Sequence, residues 1–435
     1  MLLVLIGFVA ACESSPVIQE EEVVSEPVVV EVPPVEVLPE VEEEVIEEVV
    51  EETPESRLSS TVEPPEVCRL EDGFTDFRGP SGIGIETKEG SLPSSGNLKI
   101  AVVYLDFADY RWQREESTYE LTSFLIDPIQ MYFDEMSGGL IEFEWVFFDE
   151  IISLSRRAEE YNITRGKENS RIDIKPEVNA ILEQRLNLNE WDSIIWMINP
   201  DVPENIADVT ATSIIVGYNH SYSYHMALIG MDTRIYAGYA NIVHEMGHMF
   251  GLPDLYVNVC DGHQDCQNGV VDWSLAFRYA GAWSVMSIAN HPNNELMGWE
   301  RYKIGWIVDE EVHCIAKKEE HIVHINPINS DGLGSKMIAI NLNESQNLII
   351  EMRTQDVYCK TCDTGLLVYT MDTSITHESG YVKIVRPTHS SDITLEDALI
   401  TNRSGFNQVS YEGWQIEIVE SYQQGLIVRI TNEDA

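Results

Sequence analysis

Basic residues are scarce in this chain of 435 residues. It contains 27 Lys and Arg against 74 Asp and Glu, which gives a formal net charge of -47 at pH 7. No stretch of the sequence is basic. A negative field of this size repels phosphate backbones and anionic membrane surfaces. We therefore expect no nucleic-acid partner.

Long apolar runs are also lacking. The run MLLVLIGFVAA ends at Cys12 and is too short to span a bilayer, but it is typical of a signal-peptide core. Residues 9–12, VAAC, resemble the lipobox of bacterial lipoproteins, in which the cysteine is lipidated, although no Lys or Arg precedes the run. The alternative is an ordinary signal peptide with a chance cysteine. Both alternatives predict an exported protein with a signal peptide at residues 1–12. If the lipobox is genuine, Cys12 anchors the chain at the cell surface or in the periplasm. Otherwise the protein is secreted.

Cysteine is sparse, with seven residues in the chain. If Cys12 carries lipid, the six that remain are an even number, which favours disulfides in an exported protein. The simplest pairing is Cys260 with Cys266, Cys359 with Cys362, and Cys68 with Cys314. A metal or redox site at Cys359 and Cys362 is the alternative, but no second CxxC motif is present to complete a four-thiolate zinc site.

Residues 13–66 consist largely of Glu, Val and Pro. They hold eighteen Glu and one basic residue, Arg57. Like-charge repulsion and scattered prolines prevent a packed core. The segment is therefore expected to be a disordered, extended tether that separates the membrane from the rest of the chain.

Strand and helix patterns alternate after the tether. Strands are predicted at 97–110, 140–148 and 192–199, and helices at 126–139 and about 175–186. This alternation indicates an α/β (α+β) fold. Residues 212–219 form a candidate edge strand. From residue 309, short alternating runs separated by Gly, Asn and Asp predict a mostly β C-terminal region, 309–435, that ends as a small sandwich.

The stretch YANIVHEMGHMFGLPDLY, residues 239–256, carries the clearest chemistry. His244 and His248 are four residues apart, so they share one helix face and can chelate one zinc ion. Glu245 lies beside them, as a general base acting on a water must. Gly251 ends the helix and the chain turns back, which brings Asp254 within reach as a third ligand. The alternative is a core helix whose histidines are satisfied by hydrogen bonds.

These residues resemble the M6 family of bacterial metallopeptidases, the immune inhibitor A group of metzincin-like zincins, whose pattern is HExxHxxGxxD. HEMGHMFGLPDLY, GAWSVMS and GWERYKIGW carry the resemblance. AVVYLDFAD and LIIEMRTQDVYCKTCDTGLLVYTMD extend it over 97–372. It implies a zincin-like catalytic domain at 67–308 with an HExxH active-site helix. The implied roles are zinc ligands His244, His248 and Asp254, general base Glu245, and Met286 as the methionine of the Met-turn.

The sequence departs from the family pattern in two places. The large propeptide of the family is not apparent before the first strand. The insertion CDGHQDCQNGVVD contains Asp261, Asp265 and Asp272, which are candidate calcium ligands, although a solvated disulfide loop is the alternative. Asp272 or Glu295 is an alternative to Asp254 as the third zinc ligand.

The expected activity is that of a zinc-dependent endopeptidase acting on protein or peptide substrates. Glu245 would accept a proton from the attacking water and deliver it to the leaving amine. A zinc hydrolase of another substrate, such as a peptidoglycan cross-link, uses the same residues and is one alternative. A non-catalytic surface lipoprotein with a binding or adhesion role is the other.

Overall fold

The computed structural model describes residues 62–73, 75–76, 79–80, 82–85, 90–161, 174–199, 201–202, 215–219, 224–229, 239–257, 276–289, 291–332, 334–375, 379–392, 395–403, 405–422 and 424–435. Four groups of predictions lie outside these residues. They are the signal peptide with Cys12, the tether up to residue 61, the Cys260–Cys266 loop, and the calcium ligands Asp261, Asp265 and Asp272.

A parallel sheet forms the first half of the described fold. A two-stranded ribbon, β1 (Thr75–Asp76) and β2 (Gly79–Pro80), precedes it. The sheet strands are β3 (Gly96–Asp106), β4 (Ile141–Phe147), β5 (Ile152–Ser153), β6 (Ser193–Ile198), β7 (Ile215–Asn219) and β8 (Tyr224–Ile229). Their order is β4-β3-β6-β8-β7, with β5 paired to β3. β7 runs antiparallel to β8 and lies at an edge of the described sheet, where the sequence predicted an edge strand.

Helices cover both faces of this sheet. They are α1 (Thr118–Ser137) and α3 (Ala240–Met249) on one face and α2 (Lys175–Leu182) on the other. In β3, Ile100 and Val102 pack in the core shared with α1 and α3, whereas Ala101 and Val103 pack in the core shared with α2, because side chains alternate along a strand. Among the helices that the structure describes, none is both long and apolar enough to cross a membrane.

Two further sheets form the second half. A short helix, α4 (Gly298–Lys303), leads into them. Their strands are β9 (Val312–Ile315), β10 (His321–Ile325), β11 (Met337–Asn343), β12 (Gln346–Arg353), β13 (Gly365–Asp372), β14 (Val382–Ile384), β15 (Gln408–Tyr411), β16 (Trp414–Tyr422) and β17 (Gly425–Asn432). The five-stranded sheet has the order β14-β13-β12-β11-β9 and the four-stranded sheet the order β10-β17-β16-β15. The C-terminal region is therefore β-rich, as the turn-separated runs indicated.

The five-stranded sheet is a middle layer. On β11, Met337 and Ala339 pack in the core that includes α1 and α3, whereas Ile338 and Ile340 pack against the four-stranded sheet. The two sheets thus form a sandwich. Because one face of the five-stranded sheet belongs to the core of the first half, residues 309–435 share a core with the residues that precede them.

The folded unit begins earlier than the predicted tether ends. The backbone N–H of Glu63 donates to the carbonyl of Cys314 at 3.1 Å, and the Glu63 carboxylate lies 2.5 Å from Lys317 Nζ. Disulfides join Cys68 to Cys314 and Cys359 to Cys362, the pairs expected from the sequence. Residues 62–66, assigned to the tether by composition, are therefore attached to β9.

Helix α1 also begins earlier than its apolar pattern predicts, at Thr118 rather than 126. Ser117 Oγ accepts a hydrogen bond from the Glu120 backbone at 3.2 Å, and Glu120 Oε2 accepts one from the Ser117 backbone at 2.7 Å. This capping box satisfies two donors that a helix start leaves unpaired. Pro128 lies inside the helix, where it removes one backbone hydrogen bond without ending the helix.

Stability of the fold is expected to fall as the pH falls from about 6.5 to about 4. The His313 side chain on β9 is buried, and its Nε2 makes no hydrogen bond within the described part of the chain. Burial and the nearby His321 lower the pKa of His313 to about 4. His313 is protonated near pH 6.5 in the unfolded chain but only near pH 4 in the folded chain. Acid therefore favours unfolding by up to about 3 kcal/mol.

Denaturant unfolding of the wild type and of His313→Phe, measured across this range with a chelator present, checks the expectation. The difference in free energy of unfolding between the two proteins should change with pH only below about 6.5. A difference that is constant down to pH 4 would show that His313 protonates equally well in both states.

Candidate metal centre

Helix α3 carries His244, Glu245 and His248 and ends as the sequence predicted. Its last residue is Met249, and Gly251 adopts φ 92°, a left-handed conformation that glycine takes without strain. The Leu252 N–H donates to the Gly247 carbonyl at 3.0 Å, so the chain turns back against the helix. This turn brings Asp254 beside the two histidines.

Both histidines are held by their Nδ1 atoms. His244 Nδ1 lies 2.8 Å from the carbonyl oxygen of Val285, and His248 Nδ1 lies 2.7 Å from that of Leu252. A carbonyl oxygen only accepts hydrogen bonds, so each Nδ1 carries the hydrogen. In the neutral ring the Nε2 atom then holds a free lone pair. Both imidazoles are therefore oriented as metal ligands require.

Three acceptor atoms converge at this point. Asp254 Oδ1 lies 3.1 Å from His244 Nε2 and 3.3 Å from His248 Nε2, and it is buried without a well-formed hydrogen bond. Donors bound tetrahedrally to zinc at about 2.1 Å are separated by roughly 3.4 Å. The spacing and the donor set of His244, His248 and Asp254 therefore fit a zinc ion. Within the described part of the chain these residues form a candidate metal site, which we name the metal-binding group.

The charges of this group depend on one another. Burial lowers the pKa of His248, but the adjacent Asp254 carboxylate and Glu245 outweigh burial and raise it to about 9. Burial raises the pKa of Asp254, and the two histidines outweigh it and hold that pKa well below its usual range. A metal ion would therefore compete with a proton on His248, and that proton would be released on metal binding near neutral pH.

Glu245 lies on α3 between the two histidines and is half-buried. Its charge contributes to the raised pKa of His248, which places its carboxylate near the metal-binding group. Its position one residue after His244 directs it beside the ligands. A carboxylate at that position can accept a proton from a water held at the site.

Met286 lies directly beneath helix α3 and is fully buried. The Leu255 N–H donates to its carbonyl oxygen at 2.9 Å, and the preceding Val285 carbonyl holds His244. A Cβ at Gly247 would lie 2.5 Å from Met286 Sδ, so only glycine leaves room for this sulfur. The turn at 284–287 thus contacts the segment of Asp254 and orients His244.

Replacing Gly247 with alanine is expected to destabilise the protein by about 1–3 kcal/mol, because the overlap with Met286 outweighs the helix propensity of alanine. Denaturant unfolding at constant metal concentration measures this loss. Met286→Ala removes the overlapping sulfur, so the double variant Gly247→Ala with Met286→Ala should lose less than the sum of the two single losses. Strict additivity would contradict the contact.

A buried acid, Glu300, supports the turn at 284–287. Ser284 Oγ donates to Glu300 Oε2 at 2.8 Å and accepts from the Met286 N–H at 3.0 Å. Burial raises the pKa of Glu300 to about 7, although the Met297 N–H and Ser284 hydrogen bonds lower it. Glu300 and Ser284 therefore fix the turn that holds His244.

A buried ion network surrounds this support and consists of Glu295, Arg301, Glu351 and Arg353. Arg353 is ion-paired with Glu295 and lies 2.5 Å from Glu351, and it also donates to the carbonyl of Trp283 at 3.3 Å. All four side chains are at most 2% exposed. Glu295, the alternative third ligand, belongs to this network and does not lie among the metal-binding atoms, whereas Asp272 is outside the described residues.

Sequence reasoning missed several residues of the site. Tyr381 donates to the carbonyl of Asp254, and Ser284, Glu300 and Arg353 support the turn that holds His244. Their distance in sequence from residues 244–254 gives no spacing signal. The signal that was present is a set of ionisable residues inside apolar runs, such as IIEMR at 349–353.

No protein-family model matches this chain, and no curated protein matches it. Two solved structures of wild-type OgpA from Akkermansia muciniphila show distant structural similarity. The first is 12% identical with a TM-score of 0.31, and covers 78% of this chain and 95% of that chain. The second is 11% identical with a TM-score of 0.32, and covers 80% of this chain and 98% of that chain. At these TM-scores the function has to be inferred from the residues of the site.

Proposed function

We propose that this protein is a zinc-dependent endopeptidase in which His244, His248 and Asp254 bind the metal and Glu245 is the general base. The observation that carries the proposal is the convergence of His244 Nε2, His248 Nε2 and Asp254 Oδ1 within 4.8 Å of one another. Three acceptor atoms so close together repel one another unless a cation or a proton lies between them.

Zinc bound to such a group lowers the pKa of a coordinated water and polarises a substrate carbonyl. Glu245 would accept a proton from the attacking water and then donate it to the amine of the leaving peptide. His244 and His248 keep their ligand tautomers because the Val285 and Leu252 carbonyls accept from Nδ1. A serine or cysteine nucleophile is not required for this chemistry.

The position of β7 supports a peptide substrate. β7 lies at the edge of the described sheet, pairs with β8 on one side, and contacts the helix that carries the histidines. An exposed strand edge binds an extended peptide through backbone hydrogen bonds. We infer that a substrate aligns along β7 with its scissile bond over the metal-binding group.

The quoted motifs support membership of the M6 family, and the N-terminus supports export with a lipid anchor at Cys12. Cys12→Ser should then move the protein from the membrane fraction to the soluble fraction. Fractionation followed by immunoblotting measures this. If the variant fractionates like the wild type, Cys12 carries no anchor, while the proposed activity is unaffected.

The experiment that tests the function uses the full chain. Zinc content is measured by elemental analysis, and cleavage of unfolded casein is followed with and without a chelator. One zinc per chain and chelator-sensitive cleavage are expected, and Asp254→Ala should lower both. Zinc without cleavage of casein would favour another substrate, such as a peptidoglycan cross-link, or a binding role. Absence of zinc would overturn the metal-site assignment.

A further inference from the structure

Two cations lie over one aromatic ring, in segments that contact the loop of Asp254. The guanidinium carbon of Arg278 is 4.9 Å from the ring centroid of Tyr279, and Lys383 Nζ is 5.1 Å from the same centroid. The two charges are therefore within about 10 Å of each other. We name Arg278 and Lys383 the cation pair. Both side chains are partly exposed, so solvent and ligands reach them.

The cation pair is placed by the same segments that hold Asp254. Tyr381 donates to the carbonyl of Asp254, and Lys383 follows it by two residues, so both side chains lie on one face of the extended chain. The Ile384 N–H donates to the Tyr279 carbonyl at 2.8 Å, which joins the two segments. The segments that carry the cation pair therefore contact the loop that holds Asp254.

Among the described residues, neither Arg278 nor Lys383 forms an ion pair with an acidic side chain. Arg278 Nε is buried and makes no hydrogen bond to a described residue. In contrast, Arg69, Arg114 and Lys318 each contact an aspartate at 2.6–2.7 Å. Acidic residues outnumber basic ones by 74 to 27 in this chain, so two neighbouring cations with no acidic partner among the described residues are unusual here. Their mutual repulsion falls when an anion binds between them.

The Tyr279 ring that both cations contact lies against Gly380. Gly380 has φ 81° and lies so close to Tyr279 that a Cβ at this position would overlap the ring. The ring face attracts both cations, and the lack of a Cβ at Gly380 leaves room for the ring. The Tyr279 ring is thus packed against the segment that carries Lys383.

We propose that the cation pair is a specificity subsite that binds a carboxylate of the peptide substrate close to the scissile bond. This deepens the proposed function and rests on it. A guanidinium binds a carboxylate through two parallel hydrogen bonds, and an ammonium adds a third. In a protein whose overall field repels acidic peptides, such a subsite selects the peptides that place an acid at one position.

The test compares peptides that differ by one Glu→Gln exchange at successive positions around the cleaved bond. The wild type should cleave one Glu peptide with a kcat/KM about tenfold higher than its Gln counterpart. Arg278→Met with Lys383→Met should remove this preference. C-terminally amidated versions of the peptides separate a side-chain carboxylate from a terminal one.

A matched control keeps the change in net charge the same. Lys99 lies 4.6 Å from the Trp191 ring centroid and Arg156 lies 5.7 Å from that of Tyr161, away from the metal-binding group. Lys99→Met with Arg156→Met should leave the Glu-to-Gln ratio unchanged. Lys383→Glu should instead give a preference for a Lys peptide. This variant tests the subsite by a gained preference, whereas the methionine variants test it by a lost one.

A binding measurement separates this proposal from the proposed function. Fluorescence polarisation of the same labelled peptides is recorded with zinc-treated Glu245→Ala protein, so that no cleavage is needed. Tighter binding of the Glu peptide that is lost in the cation-pair variant supports the subsite even if no peptide is hydrolysed. Equal binding and equal cleavage of Glu and Gln peptides by the wild type would overturn it.

Discussion

Glu245→Ala is expected to lower peptide hydrolysis by about 10³-fold, because a positioned general base contributes roughly two to four orders of magnitude. The metal content should stay at the wild-type level, since His244, His248 and Asp254 are unchanged. Steady-state cleavage of an unfolded protein substrate and elemental analysis of the same sample measure the two quantities together.

The control for this variant is Glu142→Ala. Glu142 is an exposed glutamate on β4, at the opposite edge of the sheet from β7, and its removal changes the net charge equally. Its activity should equal that of the wild type. A Glu245→Ala protein that holds zinc and retains full activity would rule out Glu245 as the base and leave the metal site intact.

Arg353→Met is expected to lower the free energy of unfolding by about 3–5 kcal/mol, because it leaves the carboxylates of Glu295 and Glu351 buried without their main cation. Arg353 is 1% exposed and is ion-paired with both acids. Denaturant unfolding of the metal-loaded proteins measures the difference. The variant should also bind zinc more weakly, since Arg353 holds the Trp283 carbonyl near the turn that orients His244.

Arg429→Met is the matched comparison. Arg429 also contacts two glutamates, Glu320 and Glu417, both at 3.2 Å, but its side chain is 42% exposed. Exposed ion pairs contribute about 0–1 kcal/mol, so this variant should be nearly as stable as the wild type. Equal losses in the free energy of unfolding from Arg353→Met and Arg429→Met would mean that burial does not determine how much these ion pairs contribute to stability.

The local part of the site was predictable from the sequence. The helix of His244 and His248, its end at Gly251 and the return of the chain to Asp254 are all specified within eleven residues. Helix geometry places residues four apart on one face, and a left-handed glycine reverses the chain. The Nε2 and Oδ1 atoms consequently come together without information from the rest of the molecule.

The supporting residues were not predictable, because each acts across a long separation in sequence. Arg353 and Glu295 are 58 residues apart, and Tyr381 and Asp254 are 127 residues apart. Nothing in the local pattern of IIEMR distinguishes a buried arginine from one at the end of an exposed strand. The early start of α1 was missed for a different reason, since apolar periodicity outweighed the capping box at Ser117.

The sequence by itself determined the acidic net charge, the alternation of strands and helices, and a candidate metal-binding motif on a helix with a fixed end, because these depend on composition and on contacts within a few turns of chain. The tertiary structure decided the rest. It selected the Val285 carbonyl as the partner of His244, placed an ion network behind the turn at 284–287, and brought Arg278 and Lys383 onto one ring. Those contacts depend on how the five-stranded sheet packs against the first half of the fold, and that packing is set by burial of apolar faces distributed over the whole chain.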